Sequence, residues 1–185
     1  MDADGRLRVV VYIAAVVACV VIVLGAYTRL VDAGLGCPDW PGCYGMLGVP
    51  ESIEQISQAE ARYPEIPVEP HKAWTEMVHR YVATGLGALC FCILGLAWFQ
   101  GRRLLIPIVL TAVVIVQGIF GAWTVTLKLW PQVVTAHLLG GFATLSVLWW
   151  YAASLRPTSG AMVVPRKLAR IALVAVLLQI ALGGW

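Results

Sequence analysis

Trp74-Thr75-Glu76-Met77-Val78-His79-Arg80-Tyr81-Val82-Ala83-Thr84-Gly85-Leu86-Gly87-Ala88-Leu89-Cys90-Phe91-Cys92-Ile93-Leu94-Gly95-Leu96-Ala97-Trp98-Phe99 is the stretch that decides the fold. After Arg80 it is apolar on every face, and a helix needs about 20 such residues to cross the hydrocarbon core of a bilayer. Residues 7–27, 104–126 and 133–155 meet the same test, and a fifth run begins near Leu168 and is still apolar at Trp185. Barrel strands would be shorter and would alternate polar with apolar residues. The expected fold is all-α: a polytopic membrane protein with a four-helix transmembrane bundle and the start of a fifth span. Composition agrees, because the 185 residues are 60% hydrophobic and 12% charged with a net charge of +3. So little charge excludes a soluble enzyme, a disordered chain and a nucleic-acid binder.

The cations give the expected direction. Arg6 and Arg8 precede span one, Arg102 and Arg103 separate spans two and three, and Arg156, Arg166, Lys167 and Arg170 separate four and five. The positive-inside rule puts these, and the N-terminus, in the cytoplasm. The outer loop, residues 31–73, carries Asp32, Asp39, Glu51, Glu54, Glu60, Glu65 and Glu69. Span one ends in Tyr27-Thr28-Arg29, not in a small-residue cleavage site, so it reads as retained. No Arg/Ser-rich leader precedes it, which favours a bacterial inner membrane with the loop in the periplasm.

Within the loop, Gly34-Leu35-Gly36-Cys37-Pro38-Asp39-Trp40-Pro41-Gly42-Cys43 is dense in turn formers. Ser52 and Gln55 form a capping-box pattern for a short helix over about residues 52–61. Pro64, Pro67 and Pro70 are expected to return the chain to span two in extended form.

The odd spans share an ending. Gly25-Ala26-Tyr27-Thr28 closes span one and Gly121-Ala122-Trp123-Thr124 lies at the outer part of span three. Gln117 precedes Gly121 by four residues, as Gln179 precedes Gly183-Gly184-Trp185. Helix contact and interfacial anchoring explain the composition, but the repeated order suggests an internal duplication. Residues 1–155 then form one bundle, and residues 156–185 form a cytoplasmic linker and the start of a second, truncated one.

Two of the three histidines lie inside spans. His79 is five residues after Trp74 and His137 is six after Pro131, so each sits roughly 7–9 Å below the outer end of its helix. Spans two and four are co-directional, and the imidazoles can face each other at one depth, the geometry that clasps a haem iron from both sides. A hydrogen bond to a neighbouring helix is the ordinary alternative for either residue alone. His71, beside Lys72 in the outer loop, reads as a solvated interfacial residue. Cys19, Cys90 and Cys92 read as packing residues, and Gly85, Gly87, Gly140 and Gly141 as room for a flat macrocycle.

Glu76 is the one acidic residue in any span. It precedes His79 by three positions and Arg80 by four, so the three share a helical face. It either neutralises Arg80 or stands at a haem edge, where a carboxylate can accept a proton or stabilise a developing cation. Arg80 and Arg29 are candidate partners for haem propionates, with interfacial anchoring the simpler reading for Arg29. Cys37 and Cys43 face an oxidising compartment and form either a structural disulfide or a redox-active pair.

Together these residues resemble the N-terminal half of the haem A synthase family. The resemblance is carried by Gly25-Ala26-Tyr27-Thr28-Arg29-Leu30 running into the Gly34–Cys43 segment, by Glu76-Met77-Val78-His79-Arg80, and by Ala136-His137-Leu138. It implies eight transmembrane helices in two related bundles and conversion of haem O to haem A, a ring methyl becoming a formyl group through two hydroxylation rounds. His79 and His137 would ligate the substrate haem iron, Glu76 would be the carboxylate required for methyl oxidation, and Cys37 and Cys43 would be the outer-loop pair. A haem b cofactor would sit in the second bundle, which is absent here, so activity of this stretch alone is in question. Haem O synthase, oxidase assembly factors and a second copy of the chain are the partners such a role implies. Two other classes compete. A quinone-linked disulfide oxidoreductase would need a second outer dithiol, and a b-type electron-transfer or assembly protein would not need Glu76.

Overall fold

The computed structural model describes residues 3–155 and 166–183. They form six α-helices: α1 (Ala3–Leu30), α2 (Ile53–Arg62), α3 (Pro70–Phe99), α4 (Leu105–Thr126), α5 (Pro131–Ser154) and α6 (Arg166–Gly183). There is no strand among the described residues, and α1, α3, α4 and α5 are each long and apolar enough to cross a membrane. This is a multi-pass, all-α membrane fold. α6 is shorter, begins with Arg166, Lys167 and Arg170, and packs on α5. Arg156 and the Gly184-Trp185 end of the third repeat lie outside the described residues.

Packing of the four spans is cyclic. α1 touches α3 and α5, and α4 touches the same two, whereas α3 and α5 stand diagonally with no Cα pair within 8 Å among the described residues. Sequence explains which stripe of each helix turns inward. On α1, Leu7, Val11, Ala14, Ala15 and Ala18 are buried, while Val9, Ile13, Val16, Val20 and Val23 on the opposite face are exposed. Both faces are apolar, so residue size sorts them: three alanines let the backbone approach its neighbours closely. Leu86, Cys90, Ile93 and Ala97 form the matching stripe of α3, and Leu110, Leu148, Tyr151 and Ala152 complete this inner core. Cys90 packs there, but Cys19 and Cys92 are exposed on the outer surface of the bundle. The expectation that all three thiols pack the core therefore holds for Cys90 alone.

A second core lies at the opposite end, where Cys37, Cys43, Tyr44, Val49 and Ala59 of the loop bury Ala73 and Met77 of α3. Its helix α2 starts as the sequence predicts, with Ser52 as N-cap and Gln55 closing the capping box. The return to span two differs from expectation. Pro70 occupies the first turn of α3 instead of an extended strand, because the missing N–H of a proline is unneeded there and its φ already suits a helix. His71 is accordingly an exposed helical residue, whose carbonyl accepts from Thr75 Oγ1 at 2.8 Å.

Candidate functional site

Between the two cores the bundle changes character. No residue is buried from Cys19 to Tyr27 on α1, from Val78 to Gly85 on α3, from Ala112 to Thr124 on α4, or from Val134 to Ala143 on α5. These four stretches share one level of the bundle, next to the loop, and both intramembrane histidines lie in it. The side chains of this layer are more accessible than those of the two cores that flank it.

The repeated glycines explain how the rings are seated. A Cβ added at Gly25 would lie 3.0 Å from His79 Cε1, and one added at Gly121 would lie 3.5 Å from His137 Cε1. Each imidazole of an even span thus rests on the glycine that opens the repeated Gly-Ala-aromatic-Thr ending of an odd span. Backbone groups of Val21 and Gln117, each one turn before its glycine, lie beside the rings. Nδ1 of both rings is buried without a hydrogen-bond partner. The repeated sequence thus coincides with a repeated contact, Gly25 of α1 with His79 of α3 and Gly121 of α4 with His137 of α5, the two histidines lying on diagonal helices.

Glu76 and Arg80 belong to the loop side of the same helix. Glu76 is 5% exposed; its Oε2 accepts from the Cys37 N–H at 2.9 Å and its Oε1 from Arg80 Nη2. Arg80 Nη1 donates to the carbonyls of Asp39 (3.0 Å), Pro41 and Gly42. The Cys37–Cys43 segment contains two prolines and makes no regular backbone ladder, so its carbonyls need a donor from elsewhere. Of the two readings of Glu76, the structure realises the ion pair, and through it the loop is clasped to α3. Tyr81 and Trp74 extend the clasp, donating to the Leu47 carbonyl at 2.9 Å and to Glu51 Oε1 at 2.7 Å.

Cys37 and Cys43 are joined by a disulfide and fully buried. Gly36 beside them cannot carry a side chain, because a Cβ would run into the Lys72 backbone. Tyr44 covers the bridge and donates to the Pro67 carbonyl at 3.0 Å; burial pushes its phenol above the usual range. Cys37 links the disulfide to Glu76 through one N–H, and Glu76 lies one turn from His79.

Arg29 is exposed in the last turn of α1. Of the glycines read as room for a macrocycle, Gly85 and Gly87 border open space, whereas Gly140 is covered by the Gln117 side chain. Sequence reasoning noted Gln117 only as a repeat marker. Its partnership with Gly140 and its buried, unpaired Oε1 mark it as a residue of the site, and the four-residue spacing to Gly121 was the signal that could have found it.

Fold and site together define a polytopic membrane bundle with a histidine inside each of two spans, beside a disulfide-closed loop. A family model described as cytochrome oxidase assembly protein (COX15-CtaA) matches residues 8–185. A curated Heme A synthase from Shewanella oneidensis is 46% identical over 177 residues, covering 89% of this chain and 52% of that protein. Heme A synthases of Chelativorans and Methylobacterium species are each 32% identical, covering 96% and 94% of this chain and 55% of their own lengths. The chain belongs to the haem A synthase family. It spans about half the length of the curated relatives it matches. No solved structure matches it.

Proposed function

We propose that this chain forms the substrate-binding half of a haem A synthase, holding haem O between His79 and His137 while a ring methyl is oxidised to a formyl group. The observation that carries this reading is the pair of imidazoles on diagonal helices, each seated on a repeated glycine in the layer between the two cores. Among the described residues no group of three or more His, Cys, Asp or Glu gathers. Two imidazoles on opposite sides suit an iron whose other ligands come from a porphyrin. The haem held by these residues would be the substrate, and a haem b cofactor, which by the family resemblance belongs to the other half of the relatives' length, would supply redox chemistry from there.

The residues of this chain bind and orient. Backbone groups of Val21 and Gln117 lie beside the rings and would help to orient them toward a bound iron. Glu76 is the proposed catalytic carboxylate. Its two oxygens hold Cys37 N–H and Arg80 in the structure, so proton handling at the substrate requires it to release one of them when haem enters. That exchange would couple the disulfide loop to the site. Arg80 and Arg29 remain candidates for the propionates, Arg29 having the freer side chain.

The cationic ends Arg6, Arg8, Arg102 and Arg103 against the acidic loop support a cytoplasmic N-terminus and a periplasmic loop in a bacterial inner membrane. The test is extraction and identification of haems from the full-length protein. Wild type should yield haem O and haem A, Glu76→Gln should retain haem O without product, and His79→Ala or His137→Ala should lose or alter the bound haem. Continued conversion of haem O to haem A by Glu76→Gln would remove the catalytic role of the carboxylate.

A further inference from the structure

The two halves of the bundle are related by the repeat but not identical, and the difference falls beside the rings. Four residues before the glycine seat, α1 has Val21 and α4 has Gln117. Gln117 lies in the layer where no α4 residue is buried as a whole, yet its Oε1 atom is buried and has no hydrogen-bond partner. The amide rests against Gly140, where any Cβ would collide with it. Gly140 is three residues deeper along α5 than His137, about 4.5 Å by helical rise. An amide is thus held one turn inward of the imidazole, and a glycine keeps its place clear. Leaving such a polar group unmatched inside a bundle is costly, more so in a membrane. Val21, at the equivalent position across the core, offers nothing polar.

We infer that Gln117 is the specificity residue for the oxygen-bearing substituent created on the macrocycle, binding first the alcohol and then the formyl group. The inference rests on the haem O reading of the site. Glutamine suits both species. Its Oε1 accepts from an alcohol O–H and its Nε2 donates to a formyl oxygen, whereas a methyl group satisfies neither. A side chain that binds the alcohol but gains nothing from the methyl would retain the half-oxidised haem for the second round. A site built to hydrogen-bond a substrate oxygen discriminates strongly against the analogue lacking it.

The experiment compares full-length wild type with Gln117→Met, which keeps length and packing over Gly140 but removes the hydrogen bonds. Haems are extracted and the alcohol-to-formyl ratio is measured; resonance Raman then reads the formyl stretch of bound haem A. The inference predicts a ratio about two- to tenfold higher in the variant, the worth of one neutral hydrogen bond, and a formyl stretch shifted toward the unbonded frequency. Equal ratios and equal formyl frequencies, with haem bound in both proteins, would overturn it. If Gln117→Met fails to accumulate, Gln117→Leu is read the same way, since it too removes both the donor and the acceptor; an unshifted formyl stretch would again refute the inference. A wild-type protein that binds no haem would instead overturn the parent reading.

Discussion

Replacing each seat glycine by alanine separates the two histidines quantitatively. The Cβ of Gly25→Ala would stand 3.0 Å from His79 Cε1, and that of Gly121→Ala 3.5 Å from His137 Cε1. Carbon atoms pack best at about 3.5–4.0 Å, so the first contact is about 0.5 Å too close and the second is ordinary. Overpacking of this kind costs about 1–3 kcal/mol, while alanine for glycine inside a helix returns up to about 1 kcal/mol. Gly25→Ala should therefore be destabilised by up to about 2 kcal/mol, and Gly121→Ala should be neutral or slightly more stable. The larger effect falls on ligation, because His79 must retreat from its seat. The assay is thermal unfolding of purified, haem-loaded full-length protein, followed by haem titration and visible spectroscopy. Gly25→Ala should weaken haem binding and perturb the spectrum, with Gly121→Ala close to wild type. Equal behaviour of the two variants would refute the seating argument.

Three further outcomes follow from the same geometry. Glu76→Gln breaks a buried ion pair whose side chains are 6% and 11% exposed; such breaks cost about 3–5 kcal/mol, and the other acceptors of Arg80 put the expected loss at the lower end, measurable as a drop in Tm, with an unchanged Tm arguing against the clasp. Cys37→Ser closes no covalent loop, and for a sequence separation of 6 chain entropy gives a loss of about 2 kcal/mol; protease accessibility of residues 37–47 should rise only modestly, because Arg80 still holds three of their carbonyls. Haem supplied at 100 times its Kd should raise stability by about 2.7 kcal/mol if it binds the folded bundle alone, and a melting temperature indifferent to haem would contradict a site in the layer between the two cores.

The four spans were legible because a bilayer permits few alternatives: long apolar runs must satisfy their backbone as helices. Helix ends were less so. Pro70 reads as extended in isolation, and only the structure shows it starting α3. His79 and His137 stood out as ionisable groups at equal depth, and the repeat around Gly25 and Gly121 was visible as an order of letters. Its purpose was not, because ring seating is a contact between sequence-distant helices. Glu76 and Arg80 were readable as a pair, but their hold on Cys37, Asp39 and Gly42 depends on how the loop folds back. Gln117 was underrated because a single glutamine in an apolar helix says nothing of what lies opposite.

Low-temperature electron paramagnetic resonance of the oxidised full-length protein tests the central claim most directly. A haem held by two imidazoles gives a low-spin signal, and the component assigned to this bundle should vanish in both His79→Ala and His137→Ala. Survival of that signal in either single variant would show that the two rings do not share one iron.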